Sequence, residues 1–279
     1  MTLHRFDRMV VEDEGAGEAV VCVHGLGGSA NTWTAMMPAL HRHRVLRIEL
    51  PGSARSQACE GPLSIARFAQ SAAEACKRLG IAQAHWLGHS MGTLVCQHLA
   101  VEHPALVRSL TLLGALAAPT DAARAGLRQR ARRLRDEGLA GMQSVAEQLL
   151  GIALSTDTRQ RLPLAVSFVR ESLTRCDPLA YAASCEALAD AQPAAAERIT
   201  APVLLVTGED DAVTPPQVMR ALADRLHAAD PVRTRVLPRC GHWTPVERAP
   251  ECAAEWIEFT QGLRHRAPAS RPAYAPAAF

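Results

Sequence analysis

The chain has 279 residues, with 30 Lys and Arg against 28 Asp and Glu, a formal net charge of +2 and 48% hydrophobic residues. That length can bury a large core, and so small a charge leaves no electrostatic footprint for nucleic acid or an anionic membrane surface. With two Tyr, five Phe and four Trp, aromatic platforms for stacking bases are not expected either.

The first residues, Met1 to Val10, mix charged with apolar side chains and contain no signal-peptide core. No apolar run approaches the ~20 residues of a membrane span. The eight cysteines are scattered, with no C-x-x-C pair. They read as reduced, mostly buried thiols, and the expectation is a cytoplasmic protein.

Strands and helices alternate from about residue 8 to Leu113, the mark of a parallel sheet. The run Ala19-Val20-Val21-Cys22-Val23 reads as a strand, and His24-Gly25-Leu26-Gly27-Gly28 follows it. Those glycines let the backbone approach a ligand closely. A phosphate loop is the weaker reading, since there is no Gly-Lys-Ser/Thr and no Gly-x-Gly-x-x-Gly with a later acid.

The next informative strand, Ala84-His85-Trp86-Leu87, runs straight into Gly88-His89-Ser90-Met91-Gly92 and then into helical Thr93 to Ala100. A serine between two glycines at such a junction sits on a tight turn with its hydroxyl clear of the backbone, the nucleophile elbow. A side chain at either glycine would collide with the neighbouring strand or helix. Ser90 is therefore the candidate nucleophile. The amides of Met91, at the helix start, and Leu26, on the early glycine-rich loop, are the candidate oxyanion-hole donors.

A serine hydroxyl is a poor nucleophile at neutral pH and needs a base held by an acid. Each should follow a later strand, in the order Ser, Asp, His. First, however, the rhythm of strand and helix stops. From Ala118 to about Ile199 the chain reads as helical, with Asp177-Pro178 a good helix start. A helical cap at 118–199, inserted between core parts 1–117 and 200–263, would lie over the sheet's carboxyl edge, where ligands bind in open α/β folds. Within it Arg124, Arg128, Arg130, Arg132, Arg133 and Arg135 form a cationic run. Their spacing spreads them around a helix, so a solvated face is preferred over attraction of a carboxylate-bearing substrate.

The alternation resumes with Pro202 to Thr207, continuous and apolar as in a buried parallel strand. Gly208-Glu209-Asp210-Asp211 follows, and Asp211 is the preferred triad acid with Asp210 in reserve. Thr214 is a candidate cap for a helix whose first turn accepts Pro215 and Pro216. Val232 to Leu237 alternates as an edge-side strand does and leads into Pro238-Arg239-Cys240-Gly241-His242-Trp243. Of 11 histidines, His242 has the loop and the chain order for the base, and Trp243 beside it is a candidate substrate contact. His24, His41, His43, His85, His98 and His103 read as surface or packing residues. An amphipathic segment runs from Pro250 to Leu263, and 264–279, rich in Pro and Ala, is expected to be a flexible tail.

The motifs His24 to Gly28, Gly88 to Gly92, Gly208 to Asp211 and Gly241 to Trp243 resemble the α/β-hydrolase superfamily in order, across about residues 19–263. The resemblance implies a mostly parallel central sheet flanked by helices, with an inserted helical cap. It also implies a triad of Ser90, Asp211 and His242 and an oxyanion hole from the Leu26 and Met91 amides. A serine at the elbow argues against haloalkane dehalogenases and epoxide hydrolases, which use aspartate there.

Within the superfamily, His24 through Trp33, Leu50 through Ser56 and Asp177 through Leu188 are similar to the 3-oxoadipate enol-lactone hydrolases of aromatic catabolism. Glu49 stands where those relatives usually have Asp, Ala54 where Gly or His is usual, and Thr93 where a third elbow Gly is common. The activity implied is hydrolysis of a carboxylic ester or lactone through an acyl-enzyme, with no metal or organic cofactor. The expected partner is a small-molecule substrate, and the chain itself a monomer or homodimer. A carbon–carbon bond hydrolase of meta-cleavage type, which Cys240-Gly241-His242-Trp243 also fits, a thioesterase and a non-catalytic ligand receptor are the alternatives.

Overall fold

Apolar runs bounded by turn residues supply the sheet. In the computed structural model, which describes residues 1–6, 8–57 and 61–265, they become β1 (Thr2–Phe6), β2 (Met9–Glu14), β3 (Ala19–Val23), β4 (Arg44–Glu49), β5 (Ala84–His89), β6 (Val107–Leu113), β7 (Val203–Gly208) and β8 (Val232–Leu237). The described strands form one eight-stranded sheet in the order β1-β2-β4-β3-β5-β6-β7-β8. β1 and β2 make an antiparallel hairpin, β2 runs antiparallel to β4, and β3 through β8 pair in parallel. β3, β5 and β7 are buried along their whole length, as strands covered on both faces must be. The sheet is the mostly parallel one expected, and the hairpin adds β1, upstream of the alternation read from about residue 8.

Helices α1 (Met37–Leu40), α2 (Ile65–Arg78) and α3 (Met91–Glu102) follow the early strands. Between β6 and β7 stand α4 (Asp121–Ala153), α5 (Thr156–Arg161), α6 (Pro163–Thr174) and α7 (Pro178–Ala189). Then come α8 (Pro216–Ala223), α9 (Thr244–Glu247) and α10 (Ala249–Arg264). Strand side chains alternate between faces, and that alternation divides the core. Val21 and Val23 pack with Phe68 of α2 and Leu94 of α3, while Val20 and Cys22 pack with Leu40 of α1 and Trp256 and Phe259 of α10. Leu134, Met142, Leu150 and Leu173 of the inserted helices join the first of these clusters, so sheet and insertion share one apolar interior.

Local chemistry sets several boundaries. Asp177 caps α7 by accepting from the Ala180 amide at 2.8 Å. α4 breaks at Gly138, where φ is 57° and ψ −129°. Thr214 does not cap α8, contrary to the sequence reading: Pro215 holds the cap position, and the Thr214 hydroxyl donates to Asp211 instead. Glu49 is buried and accepts from the Arg55 amide at 2.9 Å and its guanidinium at 2.6 Å, which fastens the loop after β4.

Among the described residues the cysteines are free, and all but Cys176 are buried; Cys59 lies outside them. Burial pushes the Cys22 and Cys76 thiols up to about 12, so they stay protonated and inert. No helix among the described residues is long and apolar enough to cross a membrane. The tail expected at 264–279 lies outside the described residues from 266 onward.

Candidate active site

β5 ends at His89 and α3 begins at Met91, leaving Ser90 between them at φ 52° and ψ −120°. Such a backbone costs a residue with a side chain about 1–3 kcal/mol. Close packing imposes it. A Cβ on Gly92 would lie 2.3 Å from the Val23 carbonyl oxygen of β3, and one on Gly88 2.7 Å from the Gly92 oxygen. The Ser90 amide donates to the Leu113 carbonyl at 2.9 Å. Thr93, in place of the third glycine, donates its hydroxyl to the Ser90 carbonyl at 2.7 Å.

Loops after β7 and β8 bring Asp211 and His242 to this turn. Ser90 Oγ lies 2.7 Å from His242 Nε2, and His242 Nδ1 lies 2.9 Å from Asp211 Oδ2. With Nδ1–H donating to the carboxylate, Nε2 is left to accept the serine hydroxyl. Asp211 is 3% exposed. Its Oδ1 accepts from the Val213 and Thr214 amides at 2.9 and 2.7 Å, and its Oδ2 from the Thr214 hydroxyl at 2.8 Å. Burial alone would raise this carboxyl, but the charge and hydrogen bond of His242 and the bonds from Thr214 outweigh it and hold it below its ordinary value. Asp210, the reserve acid, is exposed, and its amide is spent on the Cys240 carbonyl at 2.9 Å.

Two residues passed over in the sequence brace the histidine. His89 is fully buried; its Nε2 donates to the His242 carbonyl at 2.9 Å, and its ring lies 5.3 Å from those of His242 and Trp243. Burial, and then the neighbouring His242 charge, push it down to about 3, so it packs as a neutral ring. Glu247, 3% exposed, accepts from the Gly241 and Trp243 amides at 3.0 Å each and the Ser155 amide at 2.9 Å. The His242 amide donates to Ala153 at 2.7 Å. The loop carrying the histidine is thus fastened to the end of α4. His89 was legible as the first variable residue of a buried Gly-x-Ser-x-Gly elbow; Glu247 had no local signal.

Ser90 and His242 open on a cavity of about 360 Å³ whose lining includes Leu26, Leu127, Leu149 and Trp243. Among the described residues, neither the Leu26 nor the Met91 amide has a hydrogen-bond acceptor. A wider groove of about 750 Å³ runs along residues 31–35 and 161–168. Its lining carries Arg161 as its one ionisable group among the described residues and includes none of Ser90, Asp211 and His242.

Residues 18–249 match the model of the alpha/beta hydrolase fold family. The chain belongs to that family. A relative of this alpha/beta hydrolase, an (E)-2-((N-methylformamido)methylene)succinate hydrolase from Acinetobacter baylyi, is 26% identical over 89% of this chain and 93% of its own. The enol-lactonase from Burkholderia xenovorans superposes with a TM-score of 0.83 at 26% identity, covering 93% of this chain and 100% of that one. A thermophilic esterase from Thermogutta terrifontis, malate bound, gives 0.84 at 25% identity, over 91% and 93%. Family and relatives together make this alpha/beta hydrolase a hydrolytic enzyme.

Proposed function

We propose that the protein is a serine hydrolase that cleaves a carboxylic ester or lactone through a covalent acyl-enzyme. The observation that carries this reading is the unbroken line of hydrogen bonds from Ser90 through His242 to Asp211 at the wall of a largely apolar cavity. His242 Nε2 takes the Ser90 proton as Oγ bonds to the substrate carbonyl carbon. The negative charge gathers on the carbonyl oxygen, opposite the free amides of Leu26 and Met91. Asp211 keeps the imidazole in the tautomer that can accept and stabilises the imidazolium. As the carbon–oxygen bond breaks, His242 returns the proton to the alcohol oxygen. Water, deprotonated by the same nitrogen, then releases the acid and restores Ser90.

In this reading α4 to α7 are a cap at 118–199 that shapes the pocket over the sheet edge, and Trp243, 4% exposed and in the lining, contacts substrate. The specific activity we put first is 3-oxoadipate enol-lactone hydrolysis, on the motif resemblance and the enol-lactonase among the structural neighbours. The test is steady-state hydrolysis of a short-chain p-nitrophenyl ester by wild type and Ser90→Ala. Turnover that falls about 10⁴-fold or more in the variant supports the nucleophile; equal rates would remove it. The enol-lactone and a dienoate diketone, assayed in parallel, separate lactone from carbon–carbon bond cleavage.

A further inference from the structure

The cavity in front of Ser90 has a cationic wall to which the triad gives no role. α4 and α7 contribute Arg130 and Tyr181 to its lining, and that lining contains no Asp or Glu among the described residues. The other arginines of the cationic run are engaged or turned away. Arg124 binds the Ala189 and Ala191 carbonyls, Arg128 pairs with Asp190, Arg133 with Glu137 and Arg135 with Glu186, while Arg132 is exposed. Arg130 is half-buried, and no carboxylate pairs with it among the described residues. Arg128, Arg132, Arg133 and Arg135 are exposed, as a solvated face requires, and Arg124 and Arg130 are not.

Tyr181, in the same lining, adds a second observation. It is 3% exposed, and its hydroxyl, beside the Arg130 guanidinium, donates to no acceptor among the described residues. Its ring lies against the loop that carries Leu26, since a Cβ on Gly27 would come within 3.0 Å of Tyr181 Cε2. Burial raises the phenol well above its ordinary value, and the neighbouring Arg130 guanidinium opposes that rise only in part. The group is a neutral O–H donor. Buried donors left without an acceptor are destabilising and rare, and Tyr181 and Arg130 line the same cavity.

We propose that Arg130 and Tyr181 form an anion subsite for a carboxylate carried by the substrate away from its scissile carbonyl. A planar guanidinium and a phenol together offer a carboxylate three donors, and bidentate arginine pairing is both strong and directional. The substrates are then esters or lactones that bear a free carboxylate, an assignment that rests on Ser90 being the nucleophile.

The test compares p-nitrophenyl hydrogen glutarate with p-nitrophenyl valerate, whose acyl chains match in length and differ in the terminal carboxylate. The ratio of their kcat/KM values is expected to favour the glutarate ester in wild type. It should fall roughly 10- to 100-fold in Arg130→Met, mainly through KM, and by about threefold to tenfold in Tyr181→Phe. Arg132→Ala, exposed on the same helix, should keep the wild-type ratio. A wild type that prefers valerate, or an Arg130→Met ratio equal to wild type, overturns the subsite. Calorimetric titration with glutarate itself separates the two readings. Binding that is lost in Arg130→Met, with neither ester cleaved, keeps the subsite and removes the hydrolase. Both esters cleaved, with no glutarate binding, does the reverse.

Discussion

Asp211 governs His242 through geometry as much as through charge. Its Oδ1 is saturated by two amides, so Oδ2 faces His242 Nδ1 in a fixed direction. Asp211→Asn keeps the size but can present an NH₂ to Nδ1, which favours the tautomer with the proton on Nε2. That nitrogen then cannot accept from Ser90, and kcat should fall about 10⁴-fold. Asp210→Asn alters an exposed side chain and should stay within about twofold, as surface changes away from a site do. Ester hydrolysis by the two variants side by side decides the matter: similar losses in both would mean that the acid has been placed on the wrong aspartate.

Elements carry the next level of the design, because His242 is held by segments far apart in sequence. Glu247 of α9 takes the amides on either side of His242 and the amide of Ser155, just beyond α4. Glu247→Gln replaces one acceptor oxygen by a donor that faces N–H groups. It should cost about 1–3 kcal/mol in urea unfolding and lower kcat with it; a variant as stable as wild type would show the clamp to be slack. Gly92→Ala acts on the elbow, where the added carbon meets the backbone of β3 rather than a yielding side chain. A loss of about 3 kcal/mol or more is expected, beyond ordinary overpacking. These elements also mark the limit of what the sequence discloses. The elbow, the glycine-rich loop and the Asp and His loops were legible because each is a short motif at a strand end, and the capping of α7 because Asp-Pro acts locally. Glu247 was not, since an acid taking backbone amides from three places looks in one dimension like any surface glutamate. The cap expected at Thr214 failed for the same reason: a hydroxyl suited to a helix start found Asp211 instead. The short β1 is mostly exposed, so no apolar pattern announced it.

For the whole molecule, neutral histidines buried within the fold tie stability to pH. His85, beside Trp256 at a ring distance of 6.2 Å, is pushed down to about 4, chiefly by burial. His89, against His242, is pushed down to about 3 for the same first reason. In the unfolded chain both titrate near 6.5. Between about pH 4 and 6.5 the unfolded state therefore binds protons that the folded state refuses, and stability rises with pH across that window. The contribution is complete above about 6.5 and is lost as pH falls. Asp211 does not blur the window. Its lowered carboxyl stays ionised in the fold, so its own contribution is lost only below about 3.9, the unfolded value. At about pH 5 each histidine should remove about 2 kcal/mol relative to neutral pH. Urea unfolding at about pH 7.5 and 5 should then differ by about 4 kcal/mol or more in wild type, since burial lowers His24 and His43 as well and they act in the same direction. His85 can be tested apart from catalysis, because its Nδ1 partner is Ser109, at 2.7 Å on β6, rather than any triad residue. His85→Gln should reduce the pH difference by about 2 kcal/mol while leaving ester hydrolysis in place. If wild type proves equally stable at both pH values, protons enter the fold as readily as the unfolded chain, and these rings are not held neutral by burial.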